Sequence, residues 1–167
     1  MAAAGSFAEL FWEQQARLLR LAYLIGGDLG VAEDAVAEAF AKVWPRWRSG
    51  QVADPASYLR RTVVNELLRG LRRRALEQHA AELRRGDDRG GRAVADQVTD
   101  HETVWHALLS LPVPQRAAIV LRYYEDLSDA QIAVLLRAPV GTVKSRLARG
   151  RERLRNLLGA IGQEVMR

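Results

Sequence analysis

Apolar residues in this chain recur every three or four positions and never alternate, which points to helices and away from sheets. Phe7, Leu10, Phe11, Leu18, Leu21, Ala22 and Ile25 make one such stripe. Val31, Ala35, Val36, Ala39, Phe40, Val43, Trp44 and Trp47 make a second, with Trp44 expected in the core. Between the stripes, "GGD" at positions 26–28 stops one helix and offers an N-cap for the next. Pro45 is expected to end or bend the second helix near Trp44. Asp54 followed by Pro55 starts a third helix, with Leu59, Val63 and Leu67 as its buried side. The fold class expected is all-α.

The character changes from about residue 75 to residue 100. "RRGDDRGGRAVADQ" carries three glycines, mixed charge and almost no large apolar side chain, a linker composition. The preceding "ALEQHAAEL" can extend the third helix. A chain of 167 residues with 49% hydrophobic and 27% charged residues is globular and long enough for two small domains. The expected plan is a first domain over residues 1–75, a linker over 76–100, a second domain over 101–160 and a tail over 161–167.

The second half reads as shorter helices. "ETVWHALLSL" stops at Pro112 and "PQRAAIVLRYYED" starts at Pro114. Ser128 and Gln131 have capping-box spacing and open the helix "DAQIAVLLR". After a break at residues 137–139 comes "VGTVKSRLARG", a basic helix entered through Pro139. Two helices joined by so tight a turn make a helix-turn-helix pattern. Ile132, Leu135, Val140, Val143 and Leu147 are spaced to form its core. Thr142, Lys144, Ser145, Arg146 and Arg149 are left to face a major groove or, in the plainer reading, solvent.

Charge and composition narrow the chemistry. The formal charge is +5 and Arg greatly outnumbers Lys, which suits bidentate contacts to phosphate or guanine. The absence of cysteine excludes disulfides, thiolate-bound zinc and a thiol nucleophile. His101 and His106 in "HETVWH" stand five apart, whereas a zinc helix needs four, and no phosphate-cradling glycine loop is present. No enzyme activity, metal or cofactor is expected. The N-terminal residues lack the pattern of a secretory signal, and no apolar run is long enough to span a bilayer. A soluble, cytoplasmic, nucleoid-associated protein with no membrane insertion is the expectation.

"LPVPQRAAIVLRYYEDLSDAQIAVLLRAPVGTVKSRLARGRERLR" resembles region 4 of bacterial sigma factors of the extracytoplasmic-function type (group 4 of the sigma-70 family). "LLRLAYLIGGD", "AEDAVAEAFAKVW" and "YLRRTVVNELLRGLRRR" resemble region 2 of the same family. The run "GD…AED…RYYEDLS" is most similar to the actinobacterial SigE-like subfamily. The resemblance implies a subunit that binds core RNA polymerase, through its β and β′ subunits, and directs transcription from particular promoters.

It also implies residue roles. Glu33, Asp34, Glu38 and Lys42 match the polymerase-docking surface. Residues 49–55 match the loop that receives a flipped base of the −10 element. Tyr58, Arg60, Arg61, Asn65, Arg69, Arg72 and Arg73 match the −10 DNA-binding helix, where residues 60–74 hold six arginines against one carboxylate, Glu66. Thr142, Lys144, Ser145, Arg146 and Arg149 match the −35 contacts. An anti-sigma factor is the regulator the family implies. The alternatives are a self-sufficient helix-turn-helix regulator, or an adaptor binding only proteins.

Three positions depart from the family pattern. Arg137 stands where a turn glycine is common, so it must accept a left-handed conformation or the turn must differ. Ala148 replaces a larger side chain. Gly150 lies within the recognition helix and is expected to weaken it by roughly 1 kcal/mol relative to Ala.

Overall fold

The computed structural model describes residues 7–85 and 100–165; the glycine-rich part of the expected linker lies outside them. The described residues form seven helices and no strand. The chain divides into two compact units, Met1–Leu76 and Glu77–Arg167.

The first unit is built from α1 (Phe7–Gly26), α2 (Leu29–Arg48) and the part of α3 (Pro55–Arg85) that runs to Leu76. Helix α1 ends where Gly27 turns to φ 78°, a conformation glycine adopts without steric cost. Asp28 then caps α2, its carboxylate accepting the Val31 amide at 2.8 Å. Leu18, Leu21, Ala22 and Ile25 of α1 close onto Val31, Ala32, Val36, Ala39 and Val43 of α2 and Leu59, Val63, Val64 and Leu67 of α3. Gly26 marks the tightest seam, since a Cβ there would stand 3.1 Å from Leu67 Cδ1. Helix α3 runs on to Arg85, so "ALEQHAAEL" does extend it.

Helix α2 differs from expectation at Pro45 and at Trp44. Pro45 does not end the helix near Trp44, because it sits in an exposed last turn that stays bonded. Ser49 N donates to Pro45 O at 3.1 Å and Gln51 N to Arg46 O at 3.0 Å, so proline costs the helix only its own missing donor. Trp44 is not core. It is 41% exposed, edge-on to Phe7 at 4.6 Å and stacked on Trp47 at 5.8 Å. With Phe7, Ala8, Phe11 and Trp12 these indoles line an open apolar cup.

The second unit comprises α4 (Asp100–Leu109), α5 (Val113–Tyr123), α6 (Asp129–Leu136) and α7 (Val140–Val165). Residues 161–165, expected as tail, continue α7. Ala117, Ala118, Leu121, Ile132, Val143 and Leu147 form its buried centre. Arg116 is buried among them, and its guanidinium donates to Leu109 O at 2.8 Å. This satisfies a carbonyl that the end of α4 would otherwise leave orphaned. Burial lowers the pKa of Arg116 from its ordinary value, and the hydrogen bonding keeps a charged group tolerable there.

Gly150 does not have the role its helix propensity implies. A Cβ at this position would stand 2.9 Å from Ile119 Cγ1 and 3.3 Å from Cδ1. The missing side chain lets α7 lie directly against α5, and Ile119 is branched at Cβ and stiff. We therefore expect Gly150→Ala to destabilise the protein by about 1–2 kcal/mol through overpacking, against the gain its helix propensity would give. Thermal unfolding checks the sign. Adding Ile119→Ala should recover part of the loss; a stabilised single variant would contradict the close approach.

Candidate nucleic-acid interface

On α2, the cap at Asp28 and the buried stripe fix which residues face outward. Glu33, Asp34, Glu38 and Lys42 are all exposed, the last three spaced by four on one line. Lys42 is nonetheless engaged: its Nζ lies 3.1 Å from Glu38 Oε1 and 2.9 Å from Glu66 Oε1 on α3. The second oxygen of Glu66 receives Arg69. A residue counted in the sequence only as the lone carboxylate of a basic stripe thus links an expected polymerase contact to an expected DNA contact. Between the helices runs a groove of about 350 Å³, with Asp34 and Glu38 along one side and Arg69, Arg73 and Arg74 along the other.

The loop joining α2 to α3 is held at both ends. Gly50 turns at φ 72°, which favours glycine. Asp54 accepts the Ser57 amide at 3.1 Å and starts α3. Hydrogen bonds from the Ser57 side chain and amide hold the Asp54 carboxyl below its ordinary pKa, with the nearby Arg60 charge adding to the effect. The Arg46 guanidinium donates to the Tyr58 hydroxyl and lies 5.8 Å from the centre of its ring.

Along α3 the arginines do not share one face. Tyr58, Arg61, Asn65, Arg69 and Arg72 follow spacings of three and four, and Arg61, Arg69 and Arg72 are exposed. Arg73 and Arg74 are exposed on the side lining the groove toward α2. Arg60 is set apart. It is half-buried, three and four residues before the buried Val63 and Val64, and its charge acts on the Asp54 cap. Its spacing separates it from Arg61 and Asn65.

In the second unit, Ser128 accepts the Gln131 amide at 3.2 Å while the Gln131 side chain accepts the Ser128 amide at 2.8 Å, completing the capping box. Arg137 adopts φ 50°, ψ 47°, the left-handed turn that the family glycine would supply. Ala138 N reaches back to Ala133 O at 3.0 Å and closes the end of α6. Ile132, Leu135, Val143 and Leu147 are buried as expected. Val140 is not: at the first turn of α7 it is 40% exposed, ahead of the point where α6 covers the helix.

Opposite that seam, Lys144, Ser145 and Arg149 are exposed, with Thr142 and Arg146 half-buried at the edges. Ser145 Oγ donates to Thr142 O at 3.0 Å, which leaves its oxygen as an acceptor toward a ligand. One contact went unforeseen. Tyr123, at the end of α5, is exposed, and its hydroxyl accepts Arg151 Nε at 2.8 Å. No group of His, Asp and Glu among the described residues could hold a metal ion. No described helix is long and apolar enough to cross a membrane.

Residues 10–77 match the family model of sigma-70 region 2, and residues 101–154 that of sigma-70 region 4. The ECF RNA polymerase sigma factor SigM of Mycobacterium tuberculosis is 38% identical over 164 residues, covering 96% of this chain and 81% of that protein. The ECF RNA polymerase sigma factor SigE of Mycolicibacterium smegmatis is 34% identical over 174 residues, covering 98% of this chain; the chain spans 66% of that relative's length. Among solved structures, the sigma factor RpoE in complex with the anti-sigma factor NepR from Bartonella quintana is similar with a TM-score of 0.70 and 25% identity. That alignment covers 92% of this chain and 96% of the other. CnrH, solved with the cytosolic domain of CnrY, shares the fold at a TM-score of 0.60 and 24% identity, over 92% of this chain and 88% of that one.

The Asp54 cap carries a pH signature. Its folded pKa is lowered, so the unfolded chain binds the proton more readily, and the cap's contribution is full above the ordinary value of 3.8. It fades as pH falls below that value through the folded pKa. Asp54→Ala should cost about 1 kcal/mol at neutral pH. The difference between variant and parent should shrink on acidification below 3.8, as followed by denaturant unfolding. A difference independent of pH would contradict a charged cap.

Proposed function

The chain belongs to the extracytoplasmic-function sigma factors of the sigma-70 family, carrying regions 2 and 4, and from that premise we propose how its residues divide the work. It is a sigma factor that directs promoter-specific transcription initiation. In our reading, region 2, the first domain ending near residue 75, docks on core RNA polymerase and opens the −10 element. Residues 76–100 connect it to region 4, over 101–160, which seats on the −35 element. The polymerase performs the chemistry, and this chain has no catalytic activity of its own. A cytoplasmic, nucleoid-associated location follows from that work.

The observation that carries the reading is the pairing of two different surfaces in one chain. Lys144, Ser145 and Arg149, with Thr142 and Arg146 beside them, stand out on α7 as a helix face of major-groove size. Residues 49–55, Tyr58, Arg61, Asn65, Arg69 and Arg72 form a cationic, hydrogen-bonding surface of the kind an unpaired strand needs. A repressor that only docks on duplex has no use for the second. Glu33, Asp34 and Glu38, with Lys42, offer an exposed charged face for the polymerase. In this reading the chain meets core RNA polymerase through the enzyme's β and β′ subunits. The anti-sigma factor named in the RpoE structure makes a regulator of that class the partner we propose for the free chain.

Run-off transcription by purified core polymerase on genomic fragments tests this reading. With the chain added, a subset of fragments should give discrete promoter-dependent transcripts. Tight, sequence-specific binding by the isolated chain with no transcript from any fragment would move the protein to the self-sufficient regulators. On the selected promoter, Arg149→Ala and Lys144→Ala should each weaken binding by about 1–3 kcal/mol where a base is read, or lower the salt slope by about one where a phosphate is held. A variant that changes neither affinity nor salt dependence removes that residue from the interface.

A further inference from the structure

We propose that Arg46 is a positioning residue for the −10 loop, holding residues 49–54 as a preformed cup for an unpaired base. The inference rests on the sigma reading above and adds a residue that the family resemblance did not mark.

Arg46 holds both ends of the loop. At the near end its carbonyl accepts two hydrogen bonds, from Ser49 Oγ at 3.0 Å and from Gln51 N at 3.0 Å. At the far end its guanidinium donates to the Tyr58 hydroxyl, with the charge 5.8 Å from the ring centre. Tyr58 is itself fixed in the first turn of α3. Its amide donates to Asp54 O at 3.0 Å and its carbonyl accepts Thr62 Oγ1 at 2.8 Å. The two helices therefore meet across the loop through one side chain, and the loop between them turns at Gly50 with φ 72°.

The physical purpose is preorganisation. A base flipped from duplex must be captured by a pocket that does not itself need ordering, because ordering a loop at that moment subtracts from affinity. Arg46 and Tyr58 supply that order in advance. The pair also turns the Tyr58 ring and hydroxyl in a fixed direction beside Arg61 and Asn65. Arginine suits this place: its planar, preorganised fork can bond the hydroxyl while lying near the ring, at less ordering cost than a flexible lysine ammonium. Arg46 is exposed, so the helical core does not depend on it.

The experiment combines two readouts on the full chain. In hydrogen exchange, Arg46→Ala and Tyr58→Phe should each raise exchange across residues 49–54, while Arg48→Ala, its exposed neighbour on α2, should not. In transcription with core polymerase, on a promoter selected by run-off, each variant should reduce the preference for the correct base at the unpaired −10 position by about fivefold, the loss of one hydrogen bond. The double variant should lose no more than either single one, because both act through one contact. Arg46→Lys should fail to restore the preference, and binding to a duplex carrying only the −35 element should be unchanged.

Multiplicative losses in the double variant, or rescue by lysine, would mean that Arg46 holds a phosphate directly, and would overturn the positioning role. Unchanged loop exchange in Arg46→Ala would overturn it as well. If the parent chain gives no promoter-dependent transcript, the sigma reading falls and the inference with it. If the parent transcribes and Arg46→Ala keeps full base preference, the positioning role alone falls.

Discussion

The basic face of α7 points outward because its other side packs against α4, α5 and α6, most closely where Gly150 meets α5 with no side chain of its own. Gly150 puts backbone where any other residue would put a Cβ within 2.9 Å of Ile119. Once that contact is made, Val143 and Leu147 turn inward against Ile132, and Lys144, Ser145 and Arg149 are left on the opposite side. The turn before the helix serves the same end. Arg137 takes a left-handed conformation that costs a non-glycine residue about 1 kcal/mol, and the closing bonds of α6 hold it there. Arg116, buried with its charge on the carbonyls at the end of α4, fixes the other side of the frame.

The first unit solves a different problem. Helix α3 has to bury Leu59, Val63, Val64 and Leu67 and still offer charge to a nucleic acid. It does so by distributing its arginines to three places: Arg60 toward the Asp54 cap, Arg73 and Arg74 toward the acidic side of α2, and Arg61 and Arg72 outward. Glu66 is the pivot of this arrangement. By receiving both Lys42 and Arg69 it ties the proposed polymerase face to the proposed DNA face through charge-assisted bonds, so the two surfaces are parts of one ion network.

Most of the architecture was legible in the sequence because its signals are local. Helical periodicity, the Asp28 and Asp54 caps, the Ser128–Gln131 capping box and the break at residues 137–139 each depend on residues within a turn of one another. The readings that failed depend on what lies opposite. Trp44 fits the apolar stripe of α2 by spacing, yet the first turn of α1 covers only its edge. Val140 has core spacing but precedes the point where α6 covers α7. Gly150 looks like a helix defect until Ile119 is placed beside it. Arg46 carries no motif, and its bond to Tyr58 crosses twelve residues of sequence. The family resemblance marked Tyr58, Arg60, Arg61 and Asn65 together, and the half-buried setting of Arg60 needs the helix phase relative to the buried residues.

The central claim is that docking and opening are separable in this chain. Permanganate reactivity of unpaired thymines tests it, measured alongside complex formation with core polymerase on a selected promoter. Asn65→Ala should form complexes at near-parental levels with few reactive thymines, and a template already unpaired over the −10 element should restore its activity. Arg149→Ala should form fewer complexes, but those that form should open normally. Parallel loss of both signals in both variants would contradict the account.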